Sequence, residues 1–107
     1  MSANPYRGEV TLTLNGELHH LRLSLGSLAG LEAELGAEGL LPLIQRFEDG
    51  QFSSADLIAL LFAGLKGGGW TGTVADLEQA EIEGGILAAA RSAGEMLALA
   101  FSLPKAV

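Results

Sequence analysis

Residues 8–23 read GEVTLTLNGELHHLRL, and this stretch decides how the N-terminal part of the chain folds. Asn15-Gly16 is a strong signal for a two-residue hairpin turn, because a type I′ turn needs positive φ at both positions. A turn at that point predicts antiparallel pairing of residues 8–14 with residues 17–23. Apolar residues then fall mainly on one face of the hairpin, which comprises Val10, Leu12, Leu14, His19, Leu21 and Leu23.

After the hairpin, the apolar residues recur every three or four positions, which is typical of helices. Ser27 is predicted to cap a first helix, SLAGLEAELG, that ends at Gly36. Pro42 is compatible with the first turn of a second helix. Thr73 and Asp76 form a capping-box pattern before a short fourth helix. The predicted helices after the first cover about residues 40–49, about 54–66, a segment starting at Val74, and about 86–102 after a break at Gly84-Gly85.

The expected fold class is therefore α+β, with an N-terminal antiparallel β-hairpin followed by a bundle of four or five α-helices. A length of 107 residues is typical of one domain. We expect a single domain over residues 1–107, with the hairpin at 8–23 and the helical part at 27–102.

Composition excludes several classes of function. The net charge is −7, with 13 acidic and 6 basic residues, and such a surface would repel a nucleic-acid backbone. The chain has no cysteine, so it can form no disulfide and no thiolate metal site. The N-terminal residues MSANPYRGEV lack the apolar segment of a signal peptide, and the apolar run 57–65 is too short to span a bilayer. We expect a cytoplasmic protein with no nucleic-acid or membrane partner.

The segment GGGWTG, residues 67–72, has the glycine spacing of a phosphate-binding loop. A dinucleotide fingerprint follows a strand and opens a crossover helix, whereas here a predicted helix precedes the glycines. A P-loop places its lysine after the glycines, but Lys66 comes before them. The context favours a helix end, a turn and a new helix cap, and three consecutive glycines also suggest a joint that moves or orders on binding. We expect no cofactor.

No residue pattern indicates catalysis or metal binding. His19 and His20 are adjacent on a predicted strand and therefore point to opposite faces, so one ion cannot easily take both. The acidic group Glu78, Glu81 and Glu83 is typical of a solvated face. The sequence has no nucleophile elbow, HExxH motif or paired-acid motif. We expect a protein that is not an enzyme.

The third predicted helix contains DLIALLFAGLK, in which only the end residues are charged. Apolar residues surround its axis, so this helix is either the central core element or is covered by a partner. Trp70, the one tryptophan, follows it, and aromatic residues are enriched at interface hot spots. The candidate partner-binding residues are Phe62, Leu65 and Trp70, in contact with a second copy or another protein. A pure core role for them remains the alternative.

Four phrases in succession resemble a known family: YRGEVTLTLNGE, LRLSLGSLAGLEAELG, RFEDGQFS and LFAGLKGGG. The resemblance covers about residues 5–102 and is to small proteins of the tail-gene cluster of gene transfer agents and siphophage-like prophages, known as tail assembly chaperone or tail tube protein. It implies work in tail morphogenesis beside the tape-measure and tail tube proteins. It supplies no set of functional residues.

The resemblance leaves two roles. Tail tube subunits of such particles are dominated by β-sheet that joins into rings, whereas this chain predicts one hairpin and many helices. We therefore expect a tail assembly chaperone that holds apolar helices of the tape-measure or tube protein until the tube polymerises. A structural tail component retained in the particle and a generic helical protein-binding adaptor are the alternatives.

Overall fold

A computed structural model describes residues 10–35 and 41–101. Within those ranges the chain forms one hairpin followed by five helices, so the predicted α+β class is confirmed. The elements are β1 (Val10–Leu14), β2 (Glu17–Leu21), α1 (Leu25–Leu35), α2 (Leu41–Glu48), α3 (Ser54–Gly67), α4 (Val74–Gln79) and α5 (Gly85–Phe101).

The hairpin has the predicted turn and register. Asn15 and Gly16 have φ of 52° and 83°, as a type I′ turn requires. Val10 pairs with Leu21 at the open end of the ladder. β2 ends at Leu21, two residues before the predicted end, and the predicted pairing of residues 8 and 9 lies outside the described residues. The apolar face is the one that packs inward, with Val10, Leu12, Leu14 and Leu21 all buried.

The first helix begins earlier than predicted, and Ser27 is not its cap. α1 starts at Leu25, and the Ser27 N–H donates to Ser24 Oγ at 3.1 Å. The Leu28 N–H donates to the Ser24 carbonyl at 2.9 Å, which is the first helical bond. Ser24 is therefore the capping residue. Either serine has the chemistry of a cap, and the helix begins at the one that immediately follows the hairpin.

The two capping boxes place the N-termini of α3 and α4. The Asp56 N–H donates to Ser53 Oγ and the Ser53 N–H donates to Asp56 Oδ2, both at 3.0 Å. Thr73 and Asp76 exchange the same pair of bonds at 2.9 and 3.1 Å. Each box satisfies two amides that the first helical turn leaves without a partner. Both helices thus begin where local side-chain chemistry predicts.

An arginine–carboxylate pair joins α2 to the start of α3. Arg46 donates from Nε to Asp56 Oδ2 at 2.9 Å and from Nη2 to Asp56 Oδ1 at 3.0 Å. The hydrogen bond from Arg46 is the main cause that lowers the pKa of Asp56 below its ordinary value of 3.8, and the bonds with Ser53 lower it further, while burial opposes them. Beside this pair, the rings of Phe47 and Phe52 stack with centroids 4.4 Å apart. These contacts tie the short helix α2 to the N-terminus of α3.

Helix α3 is the centre of the described core. It packs against α1, α4, α5 and β2, which explains why apolar residues surround its axis. At Gly64 an added Cβ would lie 2.2 Å from Met96 Sδ, so α5 approaches α3 closely at this point. The largest fully buried side chains of the described core are Leu21, Leu43, Leu60, Leu61 and Leu65.

A short extended segment, Glu81–Glu83, pairs with the outer edge of β1 and was not predicted from the sequence. The Asn15 N–H donates to the Glu81 carbonyl at 2.8 Å, and the Glu83 N–H donates to the Thr13 carbonyl at 3.1 Å. Asn15 Oδ1 also accepts the Glu81 N–H at 2.9 Å. The turn asparagine thus both forms the hairpin and binds a segment 66 residues further along the chain.

We predict that Asp56→Asn destabilises the protein by about 1 kcal/mol at pH 7, since the ion pair is partly exposed and one charged contact of the cap is lost. Because the folded pKa of Asp56 lies below 3.8, its contribution is present above that pH and is lost as pH falls through the folded pKa. Urea unfolding at pH 7 and pH 3 measures the difference between wild type and variant.

The matched control is Asp76→Asn, which changes the other capping box without touching Arg46. At pH 7 we expect Asp56→Asn to lower the free energy of unfolding more than Asp76→Asn does. At pH 3 we expect the difference in unfolding free energy between Asp56→Asn and the wild type to be smaller. An Asp56→Asn difference that is the same at both pH values would contradict the assignment of the stabilisation to the ionised carboxylate.

Candidate protein-binding site

The glycine segment ends α3 and starts a turn toward α4. The Gly69 N–H donates to the Lys66 carbonyl at 3.0 Å, and the Trp70 N–H donates to the Leu65 carbonyl at 2.9 Å. Gly69 has a φ of +102°, in the region that favours glycine. These bonds form a Schellman ending, which satisfies the last carbonyls of the helix. The predicted sequence of helix end, turn and new cap at Thr73 is confirmed.

The glycines at the end of α3 also allow its backbone to lie directly against the outer edge of β2. A Cβ on Gly67 would be 1.9 Å from the Arg22 carbonyl oxygen, and one on Gly68 would be 2.0 Å from the His20 carbonyl oxygen. The Arg22 N–H donates to the Gly64 carbonyl at 2.9 Å across the same contact. The glycines are needed here for close approach of two backbones rather than for a phosphate.

Trp70 lies between the hairpin and α3. Its ring makes edge-to-face contacts with His19 and with Phe62, each with centroids 6.3 Å apart. The ammonium group of Lys66 lies 5.5 Å from the centroid of Phe62. Gly72 lies against the indole, since a Cβ there would be 2.2 Å from the ring. Trp70 and Phe62 are both half-buried, so part of each ring faces solvent.

The three residues predicted to contact a partner do not share one environment. Phe62 and Trp70 lie side by side at the surface, whereas Leu65 is fully buried with 0 % of its surface exposed. Leu65 therefore belongs to the core in this conformation, and only the two aromatic residues are accessible. Positions three apart lie on the same side of a helix, so the elements that pack over each position, rather than helix geometry, decide how deeply it is buried.

Phe62 forms part of the wall of a groove between α1 and α3. The groove has a volume of about 520 Å³, a size typical of binding clefts. Small residues line it on both helices, Gly26 and Gly30 on α1 and Ala59 and Ala63 on α3. The remaining lining residues are Ser24, Ser27, Leu31, Lys66, Gly67 and Val74.

We call this groove together with Trp70 the α1–α3 surface. The sequence indicates its aromatic residues but not the groove itself. The signal was present as small residues spaced four apart on each helix, which is the spacing of neighbours on one helix face. That the two faces meet is decided by tertiary packing.

The remaining polar groups do not assemble a chemical centre among the described residues. His19 is half-buried with its Nε2 3.8 Å from Glu17 Oε1, and His20 lies on the opposite, exposed face. Within residues 10–35 and 41–101, no group of three or more His, Asp or Glu side chains could hold a metal ion. None of the described helices is long and apolar enough to cross a membrane.

A family model described as "Phage tail tube protein, GTA-gp10" matches residues 7–103 of the chain. The chain belongs to this family. The predicted resemblance to tail-cluster proteins of gene transfer agents and phages is thereby confirmed. Neither a curated protein nor a solved structure matches the chain. The family description names a phage tail protein, and membership in it suggests contacts with other tail proteins.

For this phage tail family member, we predict that Gly68→Ala destabilises the fold by ~1–3 kcal/mol, because the new Cβ would overlap the His20 carbonyl. The matched control is Gly30→Ala. Gly30 is exposed on α1 with nothing within 4 Å of an added Cβ, so alanine there is expected to stabilise by ~0.5–1 kcal/mol. Thermal and urea unfolding measure both. Equal stability of Gly68→Ala and wild type would show that the α3–β2 contact does not require glycine.

Proposed function

We propose that the chain is a tail assembly chaperone that binds an apolar helical segment of the tape-measure or tail tube protein during assembly of a gene transfer agent or prophage tail. It acts in the cytoplasm of the bacterial host cell and leaves when the tube polymerises. The observation that carries the proposal is that other parts of the chain cover both edges of the two-stranded sheet. Little strand edge therefore remains to pair with a neighbouring subunit in a ring.

Both outer edges of the hairpin are occupied by the chain itself. On the β1 side, the Thr13 carbonyl accepts from Glu83 and the Thr11 carbonyl accepts from Ser92 Oγ at 3.1 Å. On the β2 side, the end of α3 lies against His20 and Arg22. Joining sheets across subunits needs unpaired strand edges, and these contacts block them. The arrangement supports a role other than a ring of continuous sheet.

The α1–α3 surface is the proposed binding site for the partner segment. Its groove is lined mainly by carbon, Phe62 forms part of the wall, and the half-buried ring of Trp70 lies against Phe62. Aromatic residues in such positions are common interface hot spots, and full burial of one is worth roughly 1.5–3 kcal/mol. Small residues along the groove would let a helix backbone approach. This geometry supports capture of an apolar helix.

A structural component retained in the particle is the second candidate, and the description of the family as a tail tube protein favours it. In that case the α1–α3 surface would contact a neighbouring subunit, including a second copy of the chain, and would stay covered in the finished tail. A generic adaptor would use the same surface without specificity for tail proteins. The roles differ in where the chain is found after assembly.

We predict that the chain is absent from purified, finished particles or is present far below one copy per tube subunit, because a chaperone dissociates when the tube forms. Quantitative mass spectrometry of particles and of the producing cells measures this ratio. Recovery of the chain in finished tails in stoichiometric amounts would overturn the chaperone assignment and establish the structural role.

We further predict that Phe62→Ser and Trp70→Ser each weaken association with the tape-measure or tube protein by about tenfold or more, a change of ~1.4 kcal/mol. Calorimetry with the purified partners measures association, and thermal unfolding measures folding. Leu65→Ser is the core control and should instead lose several kcal/mol of stability, roughly 2–5 by comparison with other buried leucines.

Leu41→Ser is the surface control, since Leu41 is exposed on α2 and does not line the groove. It should leave association unchanged. If Phe62→Ser and Trp70→Ser unfold the protein as Leu65→Ser does, and the wild type shows no association, the aromatic residues serve only the core.

A further inference from the structure

The segment Glu81–Glu83 covers the outer edge of β1 with few contacts, and we call it the edge strap. Its first residue, Glu81, exchanges hydrogen bonds with Asn15 at 2.8 and 2.9 Å. Its last residue, Glu83, donates its N–H to the Thr13 carbonyl at 3.1 Å. Both glutamates are exposed, so these bonds lie close to solvent. Contacts of this kind open locally while the rest of a protein stays folded.

A pair of glycines joins the edge strap to α5. Gly84 and Gly85 have φ of 85° and 70°, in the left-handed region that favours glycine. The apolar residue of the strap is Ile82, which is half-buried, packs against the core and lies opposite Leu14. Release of the strap from β1 therefore requires the loss of one partly buried apolar contact and three hydrogen bonds.

The edge that the strap covers lacks the features that protect an exposed strand. β1 reads VTLTL, with no charged residue and no proline. Strands of β-branched and apolar residues without charge pair readily with another chain when their edge is open. Natural edge strands are blunted by lysine, by proline or by a covering segment, and in β1 only the covering segment is present.

The backbone groups of Thr11 and Thr13 point away from β2, toward this outer edge. The Thr13 carbonyl accepts from the edge strap, and the Thr11 carbonyl accepts from Ser92 Oγ. In an antiparallel ladder the N–H and the carbonyl of one residue point to the same side, so the N–H groups of both threonines also face outward. An open edge would thus present two donors and two acceptors to a further strand.

We propose that the edge strap is an autoinhibitory guard that keeps β1 of one copy of the chain from pairing with β1 of a second copy. With the strap open, the two strands would pair antiparallel across a two-fold axis at Leu12. Thr11 of each copy would then lie opposite Thr13 of the other, and the outward groups of the threonines would form the shared ladder.

The two β1 strands match in charge and in face. Neither carries a charge, and the two-fold arrangement places Val10, Leu12 and Leu14 of both copies on the same, buried side of the joined sheet. The Ser92 hydroxyl would release the Thr11 carbonyl by rotating about its Cα–Cβ bond. The guard goes beyond the proposed function, since it controls pairing between copies of the chain whichever tail protein the chain binds.

The full chain carrying Glu83→Pro tests the guard, because proline removes the N–H that donates to Thr13. We expect this variant to self-associate about tenfold or more tightly than the wild type, measured by sedimentation velocity over a concentration series. In isotope-labelled protein, the amide signals of Thr11 and Thr13 should shift as the concentration rises. The matched control is Glu83→Ala, which removes the same side chain but keeps the N–H, and it should behave as the wild type does.

A reversible lock makes a second test that does not depend on proline. The Leu14–Ile82 bridge sets Thr13 opposite Glu83, so Thr13→Cys with Glu83→Cys can join the strap to β1, and the natural chain has no cysteine. Adding Ile82→Ser to this pair removes the apolar contact of the strap. We expect the triple variant to associate when reduced and to be monomeric when oxidised at low protein concentration, with the same helical circular dichroism in both states.

Three outcomes would overturn the proposal. A folded Glu83→Pro protein that stays as monomeric as the wild type would show that no strand edge becomes available. Equal association of the oxidised and reduced triple variant would place the contact elsewhere on the chain. Concentration-dependent signals at the α1–α3 surface, with none at Thr11 and Thr13, would assign self-association to that surface.

Discussion

The close contact between the end of α3 and the edge of β2 determines where the hairpin, the turn after α3 and Trp70 lie. The Arg22 N–H donates to the Gly64 carbonyl at 2.9 Å, and the backbones at Gly67 and Gly68 approach β2 within a distance that a side chain would prevent. This contact closes one edge of the hairpin and directs the chain into the Schellman turn. This Schellman turn then places Trp70 between the hairpin and the central helix. Without glycine at these positions the two layers would have to separate.

The central helix α3 serves the core and the α1–α3 surface. Its apolar residues surround the axis, so its neighbours bury some of them fully and leave others partly covered. Phe62 faces the groove with α1, and Ile58 faces a smaller groove with α4 and α5. A small domain has limited chain with which to cover such a helix. Core and partner roles, which are alternatives at the level of sequence, therefore divide among the residues of one helix.

Covered strand edges and open apolar grooves together bear on the role in tail assembly. Glu81–Glu83 on one side and the end of α3 on the other leave the hairpin poorly suited to extend into a sheet shared between subunits. The surfaces that remain accessible are formed by helices. A protein of this kind is better suited to bind another helix than to add strands, which is consistent with transient binding during assembly. The family match fixes the setting as the phage tail, and the choice between chaperone and tube component depends on whether the chain stays in the finished particle.

Local chemistry in the sequence by itself determined the hairpin, its register and most helix ends. Asn15-Gly16 needs only its own backbone preferences, and the boxes Ser53–Asp56 and Thr73–Asp76 act within one turn. The sequence also indicated Phe62, Leu65 and Trp70 as partner-contact residues. The prediction of Ser27 as a helix cap was wrong, because Ser24 has the same capping chemistry and only the path of the chain after β2 selects between the two serines.

Tertiary structure alone decided the features that join residues far apart in the chain. The pairing of Glu81–Glu83 with β1 and the bidentate contact of Arg46 with Asp56 depend on how elements pack, for which no local pattern exists. Packing also made Leu65 a core residue while leaving Phe62, three positions earlier, at the surface. The glycines after Lys66 are ambiguous in the sequence, because turns, phosphate sites and close backbone contacts all use glycine. The tertiary structure decides their role, because the carbonyls of His20 and Arg22 lie against them.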